Sequence, residues 1–127
     1  MSAPTDTLAV LDQVRALVTR HRFRCAGEAL LQGALAQVLT EAGIAFQREV
    51  TLGEAGRIDF LLTEAHVGLE VKVDGGLSEV TRQLLRYAER EEVHALPLIT
   101  TRARHDCLPA LMQGKPVRVA VLRGGLL

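Results

Sequence analysis

Between Arg57 and Val73 the chain alternates apolar and polar residues with a period of two, in two runs separated by the short connection Thr63-Glu64-Ala65-His66. Period-two alternation describes a strand with one packed and one open face. In the first run Ile58, Phe60 and Leu62 share a face, and Asp59 lies opposite with Arg57. In the second, Val67, Leu69, Val71 and Val73 share a face, and Gly68, Glu70 and Lys72 lie opposite. A connection this short suits an antiparallel hairpin, and register in a hairpin is set by which faces are buried together. Pairing the two apolar faces brings Asp59 to the side of Glu70 and Lys72.

Two carboxylates on neighbouring strands offer hard oxygen ligands to Mg²⁺ or Mn²⁺, ions that keep several waters and bridge readily to phosphate. A lysine beside such ligands can pair with a phosphate oxygen or orient an attacking water. Lys72 and Lys115 are the only lysines in a chain whose other basic residues are arginine. The amine at position 72 therefore stands out against the composition.

Asp59, followed by Glu70-x-Lys72, resembles the metal-binding and catalytic signature of the PD-(D/E)XK nuclease superfamily, with Gly56-Arg57-Ile58-Asp59 standing where that family often has Pro-Asp. Gln83-x-x-x-Tyr87 resembles the additional motif of its RecB-like and lambda-exonuclease-like branch. The resemblance covers residues 26 to 100. It implies a restriction-endonuclease-like fold and phosphodiester hydrolysis assisted by Mg²⁺ or Mn²⁺. Asp59 and Glu70 would be ligands, the Val71 carbonyl a further one, and Lys72 would assist the water. It also implies a ligand from the first helix of the core, where Glu28 fits, and a place beside the scissile phosphate for Gln83 and Tyr87.

The 127 residues suffice for one domain with a single core, and 48% hydrophobic with 24% charged residues is ordinary globular composition. The formal net charge is zero, so no global field attracts a polyanion and any nucleic-acid affinity must come from a local patch or a partner. Cys25 and Cys107 form neither metal spacing nor a disulfide framework, which suits a reducing cytoplasm. No basic segment followed by an apolar run, and no apolar stretch of membrane-crossing length, is present.

Residues 1–25 read as a helix and a basic loop. Leu8, Leu11, Val14, Leu17 and Val18 recur at helical spacing, with Thr5 or Asp6 as N-cap. Arg20-His21-Arg22-Phe23-Arg24 then either touches phosphate or forms a solvated loop. A second helix, Ala26 to Ala42, stops at Gly43 and carries the stripe Leu31, Leu35, Val38 and Ala42, with Glu28 one step before it. Glu28 either joins a metal shell or simply benefits from the positive helix N-terminus.

Ala45 to Leu52 reads as a strand before the hairpin. After Asp74-Gly75-Gly76, a helix capped by Ser78 runs to about Glu92, burying Leu77, Val80, Leu84 and Ala88. Gln83, Arg86, Tyr87 and Arg90 share its next face, which could line a nucleic-acid groove or pair with nearby acids. Val93 to Thr100 is nearly all apolar and reads as a strand covered on both faces, added parallel to the hairpin. Pro97 cannot donate to a ladder, so an edge position or an interruption is expected there.

Residues 101–127 read as a helix around Cys107 to Met112 and a strand from Val117 to Leu122. Arg102, Arg104 and His105 form either a capping loop or a substrate-backbone contact. The tail Leu122-Arg123-Gly124-Gly125 resembles the end of a ubiquitin-like modifier, a fold that two leading helices and an acidic hairpin do not suit.

Together these readings predict a single-domain, three-layer α/β/α sandwich around a mixed sheet. The function they imply is a metal-dependent nuclease acting on nucleic acid, DNA before RNA, in the cytoplasm, as a homodimer or within a larger nucleoprotein complex. The alternative is an inactive relative of that fold serving as a nucleic-acid-binding or assembly module.

Overall fold

The leading helices follow the apolar spacing, with ends set by backbone chemistry. The structure, a computed structural model, describes residues 4–23 and 27–122. Helix α1 spans Pro4–Arg20. Proline lacks the N–H that a first helical turn leaves unpaired anyway, so the helix opens there, and Thr5 and Asp6 fall within its span. Leu11, Val14, Leu17 and Val18 are buried, whereas Leu8 is exposed. Helix α2 spans Glu28–Glu41, with Leu31, Leu35, Val38 and Leu39 buried. Gly43, at φ 76°, ends it as expected. Arg24, Cys25 and the tail Arg123 to Gly125 lie outside the described residues.

Six strands form one mixed sheet in the order β1-β2-β3-β4-β6-β5. They are β1 (Phe46–Thr51), β2 (Arg57–Leu62), β3 (Val67–Lys72), β4 (Leu96–Thr100), β5 (Leu111–Met112) and β6 (Lys115–Val121). The β1–β2 and β2–β3 pairs are antiparallel, and β4 runs parallel to both β3 and β6. Helix α3 (Leu77–Ala88) joins β3 to β4. It starts after Gly76 with no side-chain cap, and Ser78 instead accepts a hydrogen bond from Arg82 at 2.8 Å, so the expected Ser78 cap is absent. The helix also ends before the expected Glu92. The segment from Ala103 to Met112 holds a short 3₁₀ helix (Ala103–Cys107) and the strand β5, in place of the expected helix.

Pro97 sits in an interior strand, not at an edge. The cost falls on one ladder only: pairing of β3 with β4 lapses between the Val67–Ala95 bridge and the Glu70–Leu98 pair, while Pro97 stays in register with Arg118 on β6.

Both faces of the sheet are packed. Ala95, just before β4, and Ile99 within it join a cluster with the apolar residues of α1 and α2, whereas Leu96 and Leu98 join one with Val80, Leu84, Tyr87 and Ala88 of α3. Alternate residues of a strand face opposite ways, so helices cover both faces. Phe23, within the basic run after α1, is buried in the first cluster. Gly68 permits the close approach of the second layer, since a Cβ there would lie 2.6 Å from Ile58 Cδ1 and 3.3 Å from Val93 Cγ1. Among the described residues, no helix is long and apolar enough to cross a membrane.

Candidate active site

The hairpin ladder pairs Phe60 with Leu69, Leu61 with Gly68 and Leu62 with Val67, and there it stops. Beyond it, side chains take over from the backbone. The Val71 N–H donates to Asp59 Oδ2 at 2.8 Å, and the Asp59 N–H donates to Glu70 Oε1 at 3.2 Å. Each carboxylate satisfies an amide that the parting strands would otherwise leave without a partner.

A backbone turnover on β1 accompanies the opening. Arg48 pairs with Phe60 and Val50 with Ile58, but the position between, Glu49 opposite Asp59, makes no ladder pair, and Glu49 has φ 54°. On either side of it the strands exchange faces. Phe46, Phe60 and Leu62 pack with α1 and α2, whereas Val50 and Ile58 pack with α3. The expectation that Ile58, Phe60 and Leu62 form one face is therefore corrected: alternation breaks at Asp59. In the sequence Glu49 is an ordinary strand residue, and nothing marks it for the left-handed region.

Glu70 is 2% exposed, and its Oε2 lies 3.6 Å from Lys72 Nζ. Burial, and then the charge of Asp59, push the Glu70 carboxyl up to about 8, against the opposing effect of Lys72. Burial also raises Asp59; the Val71 N–H opposes this, and the charge of Glu28, half-buried in the first turn of α2, adds to it. The structure thus draws Asp59, Glu70 and Lys72 together and brings Glu28 within electrostatic range. Among the described residues, no set of three His, Cys, Asp or Glu side chains is gathered as a metal-holding group.

The donor chemistry nonetheless fits a hard divalent cation. Burial raises both carboxyls, Glu70 sealed and Asp59 half-buried, the charge of Asp59 raises Glu70 further, Lys72 offsets this only in part, and added positive charge would relieve the pair. The N–H and C=O of one residue leave a strand on the same side, so the Val71 carbonyl faces the same opening as its amide.

Tyr87 is 1% exposed and engaged internally. Its hydroxyl donates to the Arg57 carbonyl at 2.9 Å and accepts from Gln83 Nε2 at 3.0 Å. Burial, then the charge of Glu70, push the phenol up to about 12, so it stays a neutral donor. Gln83 and Tyr87 therefore brace the start of β2, two residues before Asp59. Arg86 lies exposed alongside.

Arg102, Arg104 and His105 hold the loop that follows Lys72. Arg102 Nε donates to the Val73 carbonyl at 3.0 Å and Arg104 Nε to the Gly75 carbonyl at 3.2 Å. His105 is fully buried, with Nε2 2.9 Å from the Gly75 carbonyl and Nδ1 2.6 Å from Thr100 Oγ1. Thr100 also accepts the Arg102 N–H at 3.0 Å. Nothing in the sequence marks Thr100 for this network, because its place in an apolar run gives no sign of a polar partner.

The fold and site describe a mixed α/β protein with a carboxylate pair, one sealed and one half-buried, at a hairpin opening. Compared with models of known families, with curated proteins and with solved structures, the chain matches none.

Proposed function

We propose that this chain is a metal-dependent nuclease of the PD-(D/E)XK type, a three-layer restriction-endonuclease-like domain hydrolysing phosphodiester bonds in nucleic acid, DNA before RNA. The observation that carries the reading is the reciprocal hold of Asp59 and Glu70 on each other's strands beside Lys72. Asp59, Glu70 and the Val71 carbonyl would hold Mg²⁺ or Mn²⁺, with Glu28 adding negative charge from α2. When bound, the ion would polarise a phosphoryl oxygen and acidify a coordinated water.

The rest is work for the protein's own groups. Lys72 projects from the same face as Glu70 and reaches a phosphate oxygen or the attacking water, stabilising charge that builds in the transition state. Gln83 and Tyr87 fix the strand that carries Asp59. Arg86, exposed on the same helix, offers a cation to the backbone of the bound strand.

The test is cleavage of labelled linear, circular, branched and single-stranded DNA and of RNA, with Mg²⁺, Mn²⁺ or EDTA, beside Asp59→Ala. Metal-dependent cutting lost in the variant supports the reading, and the preferred substrate separates end-directed from internal action. Absence of cutting by folded protein on every substrate would refute it. A non-catalytic nucleic-acid or assembly module is the second reading, favoured by the zero net charge and the internally satisfied Tyr87 hydroxyl.

A further inference from the structure

Two of the four histidines meet at the end of the hairpin away from the carboxylates. His66 closes the turn before β3 and His94 precedes β4. Their rings lie 4.7 Å apart between centroids, tilted by 33°. The approach is fixed by the main chain: the His94 N–H donates to the His66 carbonyl at 2.7 Å, and His66 has φ 56°. Histidine tolerates the left-handed region better than most residues, but the conformation still has a cost.

The other two histidines have evident structural work. His21 Nδ1 lies 2.7 Å from the Leu17 carbonyl at the end of α1, and both ring nitrogens of His105 have hydrogen-bond partners. Among the described residues, neither the His66 nor the His94 ring makes a hydrogen bond. Both side chains reach solvent, His66 in part and His94 freely. Two adjacent imidazoles with available nitrogens are a ligand pair for borderline and softer divalent cations. A cation about 2 Å from a nitrogen of each ring would leave the ring centres at a separation of this order.

We propose that His66 and His94 form a site for a divalent transition cation, Cu²⁺, Ni²⁺ or Zn²⁺, separate from the carboxylate pair and selective against Mg²⁺. Water completes the coordination, and the bound ion ties the turn after β2 to the segment entering β4. The protonation state suits ligation: burial first, then the charges of His66 and Lys115, lower the His94 pKa and favour the neutral imidazole. Lys115 also opposes a cation, but its Nζ is held 2.7 Å from the Arg90 carbonyl, and the charges of Glu91 and Glu92 act on it. The site therefore has a modest affinity, with Cu²⁺ ahead of Ni²⁺ and Zn²⁺.

The test is calorimetric titration of the full chain with each cation in excess Mg²⁺, which saturates hard-oxygen sites. His66→Asn retains tolerance of the left-handed backbone, and His94→Gln alters an exposed side chain, so both variants should fold; circular dichroism checks this. One Cu²⁺ per chain, weakened at least tenfold by each variant and unchanged in His21→Gln, is the expected result. Unchanged affinity in His94→Gln, or no saturable binding by the wild-type chain, would overturn the proposal. Neither outcome depends on nuclease activity.

Discussion

Glu49 stands directly opposite Asp59 in the β1–β2 register, yet the two do not pair, and the backbone of Glu49 is left-handed at φ 54°. This one residue turns both strands over, sends Val50 and Ile58 beneath α3, and leaves Asp59 free to receive the Val71 amide. A left-handed non-glycine residue costs about 1–2 kcal/mol. Glu49→Gly or Glu49→Asn should therefore keep or raise stability in urea unfolding. Glu49→Val, β-branched, should lower it by about 1–2 kcal/mol. Hydrogen exchange gives the local readout: the Val71 amide should lose protection in Glu49→Val, while the Gly68 amide, bound to the Ala95 carbonyl, keeps it.

Glu70 makes stability depend on pH in an unusual direction. Its carboxyl ionises near 4.5 when unfolded and at about 8 when folded. Between those values the native state holds a proton that the unfolded state has released, so this contribution is full below about 4.5 and fades as pH rises through about 8. The raised Asp59 acts with the same sign. In EDTA, wild-type stability should fall from about pH 5 to about pH 8 and level off above it, and Glu70→Gln should flatten that slope and be the more stable protein at pH 9. Parallel profiles for the two proteins would show that Glu70 is not the group responsible.

Lys72→Ala separates chemistry from folding. Its ammonium is partly exposed, with a side-chain accessibility of 21%, and its one close acidic neighbour, Glu70, holds its proton below about pH 8, so the unfolding midpoint at neutral pH should move little. Cleavage, in contrast, should fall by about 10²–10³-fold, the scale for loss of one transition-state donor. Turnover within a fewfold of wild type would remove the lysine from the mechanism.

Tyr87→Phe distinguishes bracing from substrate contact. The variant removes the donor to the Arg57 carbonyl and frees the Gln83 amide, at a cost of about 1–2 kcal/mol in stability. A bracing role predicts a lower kcat with KM for nucleic acid little changed. A rise in KM alone would instead place the hydroxyl on the phosphate.

Much of this molecule was written in local pattern. The alternation of Val67, Leu69 and Val71 was enough to place Glu70 and Lys72 on the opposite face, and the hairpin put Asp59 beside them. The offset of four residues joined Gln83 to Tyr87, and the apolar run around Leu96 to Ile99 marked a strand buried on both sides. These features depend on residues close in sequence and on periods fixed by backbone geometry.

Other features depended on what the chain met after folding. Pro97 lies inside the sheet because one ladder lapses beside it, an arrangement that needs β3 and β6 already in place. The hydroxyl of Tyr87 points at Arg57, thirty residues away, and not at solvent. Sequence determined which carboxylates and which amine would share a surface. Tertiary structure alone decided that the strands part at Asp59 and that Glu70 is sealed from water, because both follow from packing α3 under a sheet that turns over at Glu49.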